Sequence, residues 1–259
     1  TYLPDINGVV TSVVSLKKAL EMHGHEVYIV TNHDNVLKTT FDEKERILRL
    51  PGLKLEFLYG YKISSPIQVQ ATKAIKDWGL DVIHIQQEFG IGIYGRYLAS
   101  TWEIPLLNTY HTTYEDYTHY VNFFDLEVVD HLSKKVVEVL SKSFTKKSNI
   151  VITPSQKTKD MLLGYGIEKQ IEVIPTGLDL DRFDISKTDD QTKHDIKAKY
   201  HIANDQTLFT YVGRIAKEKS VDVLTNAFKI VKDNNVKAKL LIVGGGPDLE
   251  DLKKQATRF

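Results

Sequence analysis

The sequence predicts an α/β fold of the doubly wound kind, in two domains. Three observations predict it. Apolar, β-branched segments that read as strands alternate with segments whose apolar residues recur at helical spacing. The strand segments are continuous apolar runs, as in a parallel sheet covered on both faces. The alternation breaks once, after Gly177, and then restarts. The 259 residues suffice for one large domain or two of ordinary size, and the break predicts domains at 1–178 and 179–259.

The elements follow in order. Val9 to His23 carries Val9, Val10, Val13, Val14, Leu16 and Leu20 at roughly helical spacing, and Gly24 stops it. "EVYIVT" (Glu26–Thr31) reads as a buried strand and "KLEFLY" (Lys54–Tyr59) as a second. Ile67 to Trp78 is helical and Gly79 ends it, then "DVIHIQ" (Asp81–Gln86) is a strand. Tyr94 to Trp102 is helical, "PLLNTYH" (Pro105–His111) a strand, and Leu126 to Phe144 a long helix. "NIVITPS" (Asn149–Ser155) is a strand, Thr158 to Leu163 a short helix, and "IEVIPTG" (Ile171–Gly177) a strand. The polar stretch "LDLDRFDISKTDDQTKHD" reads as a linker. Beyond it come the strand "LFTYVG" (Leu208–Gly213), a helix from Val221 to Val231, the strand "KLLIVGGG" (Lys239–Gly246) and a helix from Leu249.

Composition narrows the function classes. The formal net charge is zero, so no global basic field argues for a nucleic-acid partner. The absence of cysteine excludes disulfides, thiolate metal sites and thiol catalysis, and it suits a reducing compartment. No apolar run reaches membrane-spanning length, so the expectation is a soluble or peripheral protein. Both ends look interrupted: "TYLPDINGVV" opens as if at the last residue of a strand, and "DLKKQATRF" closes inside a helical pattern with no stop signal. The expectation is a span of a longer protein, with the first strand missing and the second domain truncated.

In doubly wound folds ligands sit at the carboxyl ends of strands, and five stretches there are candidates. Gly8, in "INGVV", precedes a helix whose free amides and dipole would suit a phosphate; the plainer reading is a tight turn. The full glycine fingerprint of a dinucleotide site is missing and no Walker lysine follows, which disfavours an NAD enzyme or a P-loop NTPase. His111 follows a strand directly and could meet a sugar hydroxyl or a phosphate oxygen, or move a proton. Tyr114, Glu115, Asp116, Tyr117 and His119 follow it, lining a cleft or simply packing in a polar loop. His84 sits mid-strand and reads as a satisfied interior histidine, whereas Glu88 and Gly90 fall at a strand-to-helix turn and could line the cleft.

Arg214 and Lys219 lie between a strand and a helix whose expected N-cap is Ser220. A planar fork and a mobile point charge could together neutralise a diphosphate, including a departing one. With Lys217 and Glu218 between them, they also read as ordinary surface charge. The turn Gly244-Gly245-Gly246-Pro247 could admit a base or ribose, or serve only the chain's own conformation. In Asp130–Asn149, Leu132, Val136, Val137, Leu140 and Phe144 share a helical face, with Lys134, Lys135, Lys142, Lys146 and Lys147 around it. Such a helix either lies on an anionic membrane surface or faces the core with solvated lysines. Asp179-Leu180-Asp181 mimics a metal motif but lies in the linker, and no metal is expected.

Taken together, "INGVV", the strand-end histidine of "YHTTYEDY", "VITPS", "VIPTGLDLDRF", "YVGRIAKEKSVDVL" and "LLIVGGGP" stand in the order found in family 4 (GT4) of the retaining glycosyltransferases, which the chain resembles along its whole length. "YHTTYEDYTHYV" is similar, more narrowly, to bacterial 1,2-diacylglycerol 3-glucosyltransferases, which make membrane glycolipids, including lipoteichoic acid anchors. The resemblance implies a GT-B fold of two Rossmann-like domains, the first binding the acceptor and the second the nucleotide sugar. It implies that Gly8 approaches the donor phosphates and that His111 contacts the transferred sugar. It implies further that Arg214 and Lys219 hold the diphosphate, and that Gly245 and Gly246 lie near the nucleotide. Thr176 stands where many relatives have asparagine. The family's two acidic residues that contact the donor lie past Phe259, so this span alone is expected to be inactive.

What the resemblance implies, then, is a retaining enzyme moving glucose from UDP-glucose to diacylglycerol, with no metal or other cofactor. It would work as a cytoplasmic protein, peripheral on the inner face of the cell membrane. Its partners would be the UDP-sugar, the lipid acceptor and the anionic membrane surface. The alternatives are an enzyme of the same family acting on a capsular or other glycan, and a non-catalytic partner subunit of glycosyltransferase-like fold.

Overall fold

The structure is a computed structural model and describes residues 2–5, 7–33, 35, 37–55, 61–64, 68–111 and 127–257. The chain divides into two compact units, Thr1–Asp179 and Leu180–Phe259. Both are α/β with parallel strand pairs, the fold class expected.

The first unit opens with α1 (Gly8–Met22), capped by Asn7, whose Oδ1 accepts from the Val10 amide at 3.0 Å. Gly24, at φ 86°, turns the chain out of the helix where a side chain would be strained. Three strands follow, β1 (Ile29–Asn32), β2 (Thr40–Asp42) and β3 (Ile47–Leu50), in the order β1-β3-β2. β1 and β3 run parallel, whereas β2 and β3 run antiparallel. A small antiparallel pair, β4 (Leu53–Leu55) and β5 (Tyr61–Ile63), precedes α2 (Val69–Asp77).

Then the alternation becomes regular: β6 (Ile83–Ile85), α3 (Ile91–Trp102), β7 (Leu106–Thr109), α4 (Glu127–Thr145), β8 (Ile150–Thr153), α5 (Gln156–Gly164) and β9 (Ile171–Val173). The four strands form one parallel sheet in sequential order. Leu48 and Leu50 of β3 pack with Ala71 and Ile75 of α2 and Tyr94 and Leu98 of α3. A second cluster joins Tyr110 and Val151 to Leu162, Ile167 and Ile171.

Several strands are shorter than the apolar run that announced them. "EVYIVT" contributes only its last residues to β1, and "PLLNTYH" only Leu106–Thr109 to β7. β2 and β3 were not among the expected strands. The signal for β3 is there in "ILRL", but a charged run, "DEKER", stands before it and carries the turn from β2.

Several expectations need correction, the linker first. The stretch read as a linker holds two 3-10 turns and a helix, α6 (Asp190–Lys199). No residue of α6 is buried, so it has no apolar stripe to reveal it. It stands on local bonds: the Asp189 carboxylate caps the Thr192 amide at 2.6 Å, and Lys193–Asp190 and Gln191–Asp195 pair along its flank.

The second correction concerns α4. Val136 is 50 % exposed and Val139 63 % exposed, so Val136 is not on the inward face. The inward side carries Ser141, Phe144 and Thr145, all buried. Hydroxyls tolerate that place because they bond back to the helix: Ser141 Oγ donates to the Val137 carbonyl and Thr145 Oγ1 to that of Ser141. Tyr110, fully buried, meets Ser141 Oγ at 2.7 Å. Leu132 has no described side-chain position.

The second unit contains β10 (Thr207–Val212), α7 (Val221–Asp233), β11 (Ala238–Val243) and α8 (Leu249–Ala256). β10 and β11 are parallel over their whole length, and Ile215, Val221 and Leu252 form the buried centre. Ser220 occupies the cap position of α7 but does not cap it through its hydroxyl. Its backbone is left-handed, at φ 48° and ψ 42°, and its side chain makes no cap bond.

Candidate functional site

In the first unit the polar groups converge at the carboxyl ends of β6 and β7. Parallel pairing sets Ile85 opposite Asn108, so residues just beyond these positions are neighbours. His111 Nε2 lies 2.6 Å from Oε1 of Gln86. The nitrogen of the same amide lies 3.0 Å from His84 Nε2, and that ring nitrogen is 2.7 Å from Thr109 Oγ1.

Burial pushes both imidazoles down from 6.5 to about 4, and at His84 the neighbouring His111 adds to the effect. Both rings are therefore neutral at neutral pH. His84 is a bonded interior histidine that supports the strand-end one. Gln86 is the member that sequence reading did not single out. Its signal was its place in "HIQQ", one residue past the strand that carries His84.

Glu88 is 3 % exposed and lies within the β6–α3 turn, not on an open wall. Its carbonyl accepts from Arg96 Nη1 at 2.6 Å. The same guanidinium donates through Nε to the Phe144 carbonyl and sits 4.9 Å from the centre of the Phe144 ring. Arg96 thus ties the turn after β6 to the end of α4. Gly92 is required there, because a β-carbon would fall 1.8 Å from the Gln87 carbonyl oxygen. Gly8, in contrast, faces open space at the start of α1. Tyr114, Glu115 and Asp116 lie outside the described residues, as do Tyr117 and His119.

In the second unit the loop after β10 is built as a continuation of the sheet. Beyond the strands, Gly213 N donates to the Val243 carbonyl, Ile215 N to that of Gly245 and Asp248 N to that of Ile215. The Tyr211 hydroxyl reaches forward to the Arg214 carbonyl at 2.8 Å. Ile215 and Ala216 are buried and anchor the loop. The backbones come so close that a β-carbon on Gly244 would stand 1.8 Å from the Gly213 oxygen, and one on Gly246 2.0 Å from the Ile215 oxygen. Gly246 is therefore fixed by the fold. Gly245 has nothing within 4 Å of its would-be β-carbon, and it is the glycine open to an incoming group.

Arg214 is partly exposed, with its guanidinium 3.9 Å from the carboxylate of Glu218. Lys219 is exposed at the end of a 3-10 turn, Lys217–Lys219. A cavity of about 260 Å³ adjoins this loop, lined by Ile215, Lys217, Asp222, Asp248 and Asp251 among others. Its carboxylates disfavour an anion there, whereas Arg214 presents a cation elsewhere on the same loop.

Lys134, Lys135 and Lys142 of α4 are exposed, as are Lys146 and Lys147 just past its end. Lys135 and Lys142 reach Glu138, and Lys147 bonds Ser100 Oγ. Lys134 and Lys146 complete the set. Asp179 pairs with Lys18 at 3.0 Å. Among the described residues no helix is long and apolar enough to cross a membrane.

The sequence profile described as Glycosyltransferase Family 4 matches residues 6–182. The chain belongs to this family. A second profile, Glycosyl transferases group 1, matches residues 192–259. Among curated relatives, an alpha-monoglucosyldiacylglycerol synthase of Acholeplasma laidlawii is 34 % identical over 98 % of this chain and 63 % of its own length. One from Streptococcus pneumoniae is 33 % identical over 99 % of this chain and 56 % of its own. A GDP-mannose-dependent alpha-mannosyltransferase of Corynebacterium glutamicum is 22 % identical over 98 % of the chain and 58 % of its own length. The chain thus spans less than two thirds of each. His111 falls within the first matched segment and the Arg214 loop within the second.

Proposed function

We propose that the protein transfers glucose from UDP-glucose to diacylglycerol, with retention at the anomeric carbon, to make a membrane glycolipid. The observation that carries the proposal is the 33–34 % identity, along nearly the whole chain, to two proteins named alpha-monoglucosyldiacylglycerol synthase. The geometry supports it. Neutral His111 offers a hydrogen-bonding ring to the sugar, and Arg214 with Lys219 offers positive charge to the diphosphate. Gly8 and Gly245 leave main chain accessible to the donor.

In this mechanism the bond from the anomeric carbon to the diphosphate breaks on one face, and the acceptor hydroxyl enters on that face. Arg214 and Lys219 meet the charge that grows on the leaving group, which is where a fixed cation lowers the barrier most. No side-chain nucleophile takes part, and with two cations at the diphosphate no metal is required. The acceptor is reached from the inner face of the membrane. Exposed Val139, with Lys135, Lys142 and Lys146 at helical spacing around it, suits contact with anionic lipid.

The test is a transfer assay on the complete gene product with UDP-glucose and diacylglycerol, against GDP-mannose and other sugar nucleotides and a panel of soluble glycans. An α-linked glucosyldiacylglycerol is expected. A β-linkage overturns retention, and transfer only to a soluble glycan overturns the lipid acceptor. No transfer from any donor points to a non-catalytic partner subunit.

A further inference from the structure

We infer that Gln86 is a positioning residue for His111. Its amide, held between the rings of His111 and His84, keeps the His111 proton on Nε2. That turns Nδ1 into an acceptor, so this point of the site takes a hydrogen-donating group, a sugar hydroxyl, in preference to a phosphate oxygen. The inference rests on the proposed contact between His111 and the sugar.

A carboxamide oxygen only accepts hydrogen bonds. At 2.6 Å from His111 Nε2, it requires an N–H on that nitrogen. A neutral imidazole carries a single proton, so Nδ1 is left with its lone pair. Phosphate oxygens also present lone pairs and are repelled there. A hydroxyl can turn its hydrogen to Nδ1 and is held.

The far side of the amide fits the same assignment. The Gln86 N–H group donates to His84 Nε2 at 3.0 Å, and the Thr109 hydroxyl approaches the same nitrogen at 2.7 Å. That nitrogen is the acceptor for both, which puts the proton of His84 on its Nδ1. Reversing the amide would force both imidazoles to exchange tautomers together. The three side chains therefore change as a set, and the pairing of β6 with β7 is what brings the set together. His84 and Thr109 act on the sugar site at one remove, through Gln86.

The experiment is nitrogen NMR of the imidazoles in the complete gene product at neutral pH, combined with steady-state transfer kinetics. The variants are Gln86→Met, His111→Ala and the double variant. Methionine keeps the length and apolar volume of glutamine while removing the amide. The expected results are a neutral Nε2–H tautomer at His111 in the parent and a shift towards the other tautomer in Gln86→Met. Gln86→Met should also lose on the order of ten- to a hundredfold in kcat/KM, an effect absent when His111 is already alanine. A parent His111 protonated on Nδ1 overturns the inference. So does a Gln86→Met variant that leaves the tautomer unchanged, or that costs the same with and without His111, since that is a purely structural effect. Thermal unfolding of each variant separates misfolding from either result. If His111→Ala leaves transfer intact, the sugar contact fails, and with it the preference for a hydroxyl at this point. The imidazole spectra still decide separately whether Gln86 sets the tautomer.

Discussion

Gln86 lies between two imidazoles, with its oxygen on His111 and its nitrogen on His84. One amide thus couples two strand ends that are far apart in sequence. It also places two groups that resist protonation within reach of one another, and this has a measurable consequence for stability.

Folded His84 and His111 take up protons only near pH 4, whereas an unfolded imidazole does so near 6.5. Between those values the unfolded state binds more protons, so stability rises with pH through the window and is flat above it. Acidification from about 6.5 to about 4 is therefore expected to destabilise the protein, by up to about 1.4 kcal/mol per pH unit for each group. Either ring, once charged, would repel a proton from the other, which helps to keep the folded pair neutral through this window. Denaturant unfolding at several pH values checks this. The His111→Asn variant should show a shallower slope, and an unchanged slope would sink the assignment.

The two glycines after β11 are expected to part company. Gly246→Ala drives a β-carbon to within 2.0 Å of a backbone oxygen, and should cost on the order of 3 kcal/mol. Gly245→Ala meets nothing within 4 Å and should leave unfolding within about 0.5 kcal/mol of the parent. If Gly245 faces the donor, its alanine variant should weaken nucleotide-sugar binding all the same. Melting curves with and without UDP-glucose read both effects.

Arg214→Ala in the complete gene product should lower kcat far more than it raises KM, on the order of a hundredfold. The reason is that its charge matters most when the diphosphate leaves. Steady-state kinetics with UDP-glucose varied would show it. A change confined to acceptor affinity would place Arg214 elsewhere in the reaction.

Binding to vesicles containing anionic lipid should weaken as salt is added, because exposed lysines are screened over roughly 10 Å at 0.1 M. Replacing Lys135, Lys142 and Lys146 together with glutamine should lower that binding while leaving the fold intact. Vesicle sedimentation across a salt series is the measurement. Salt-independent binding, or none, would remove α4 from the membrane contact.

The parallel sheet was legible because short apolar, β-branched runs such as Ile150–Thr153 alternate with segments of helical spacing. The inward face of α4 was not. Ser141 and Thr145 bury their hydroxyls by bonding carbonyls one turn back, and a reader of apolar periodicity counts them as solvent-facing. α6 escaped for the opposite reason, since a helix held by its cap and flank pairs has no apolar stripe to find. Among the candidate residues, His111 of the first unit and Arg214 and Lys219 of the second were named from their places after strands. Gln86 could not, because its role depends on the pairing of β6 with β7 and not on its own neighbours in sequence. Arg96 was equally hidden: one of six arginines, it becomes a buried tie only when the turn after β6 and the end of α4 are brought to it.

The loop that carries Arg214 inherits its order from the sheet, through Gly213, Ile215 and Asp248. An arriving diphosphate would find the backbone already in place, and little conformational entropy would be lost in closing this part of the protein around it. The remaining entropy loss falls on the exposed stem of Lys219, roughly 2 kcal/mol of rotamer freedom to be frozen. If Arg214 and Lys219 do hold a diphosphate, discrimination against a smaller anion would turn on Lys219, the more exposed of the two.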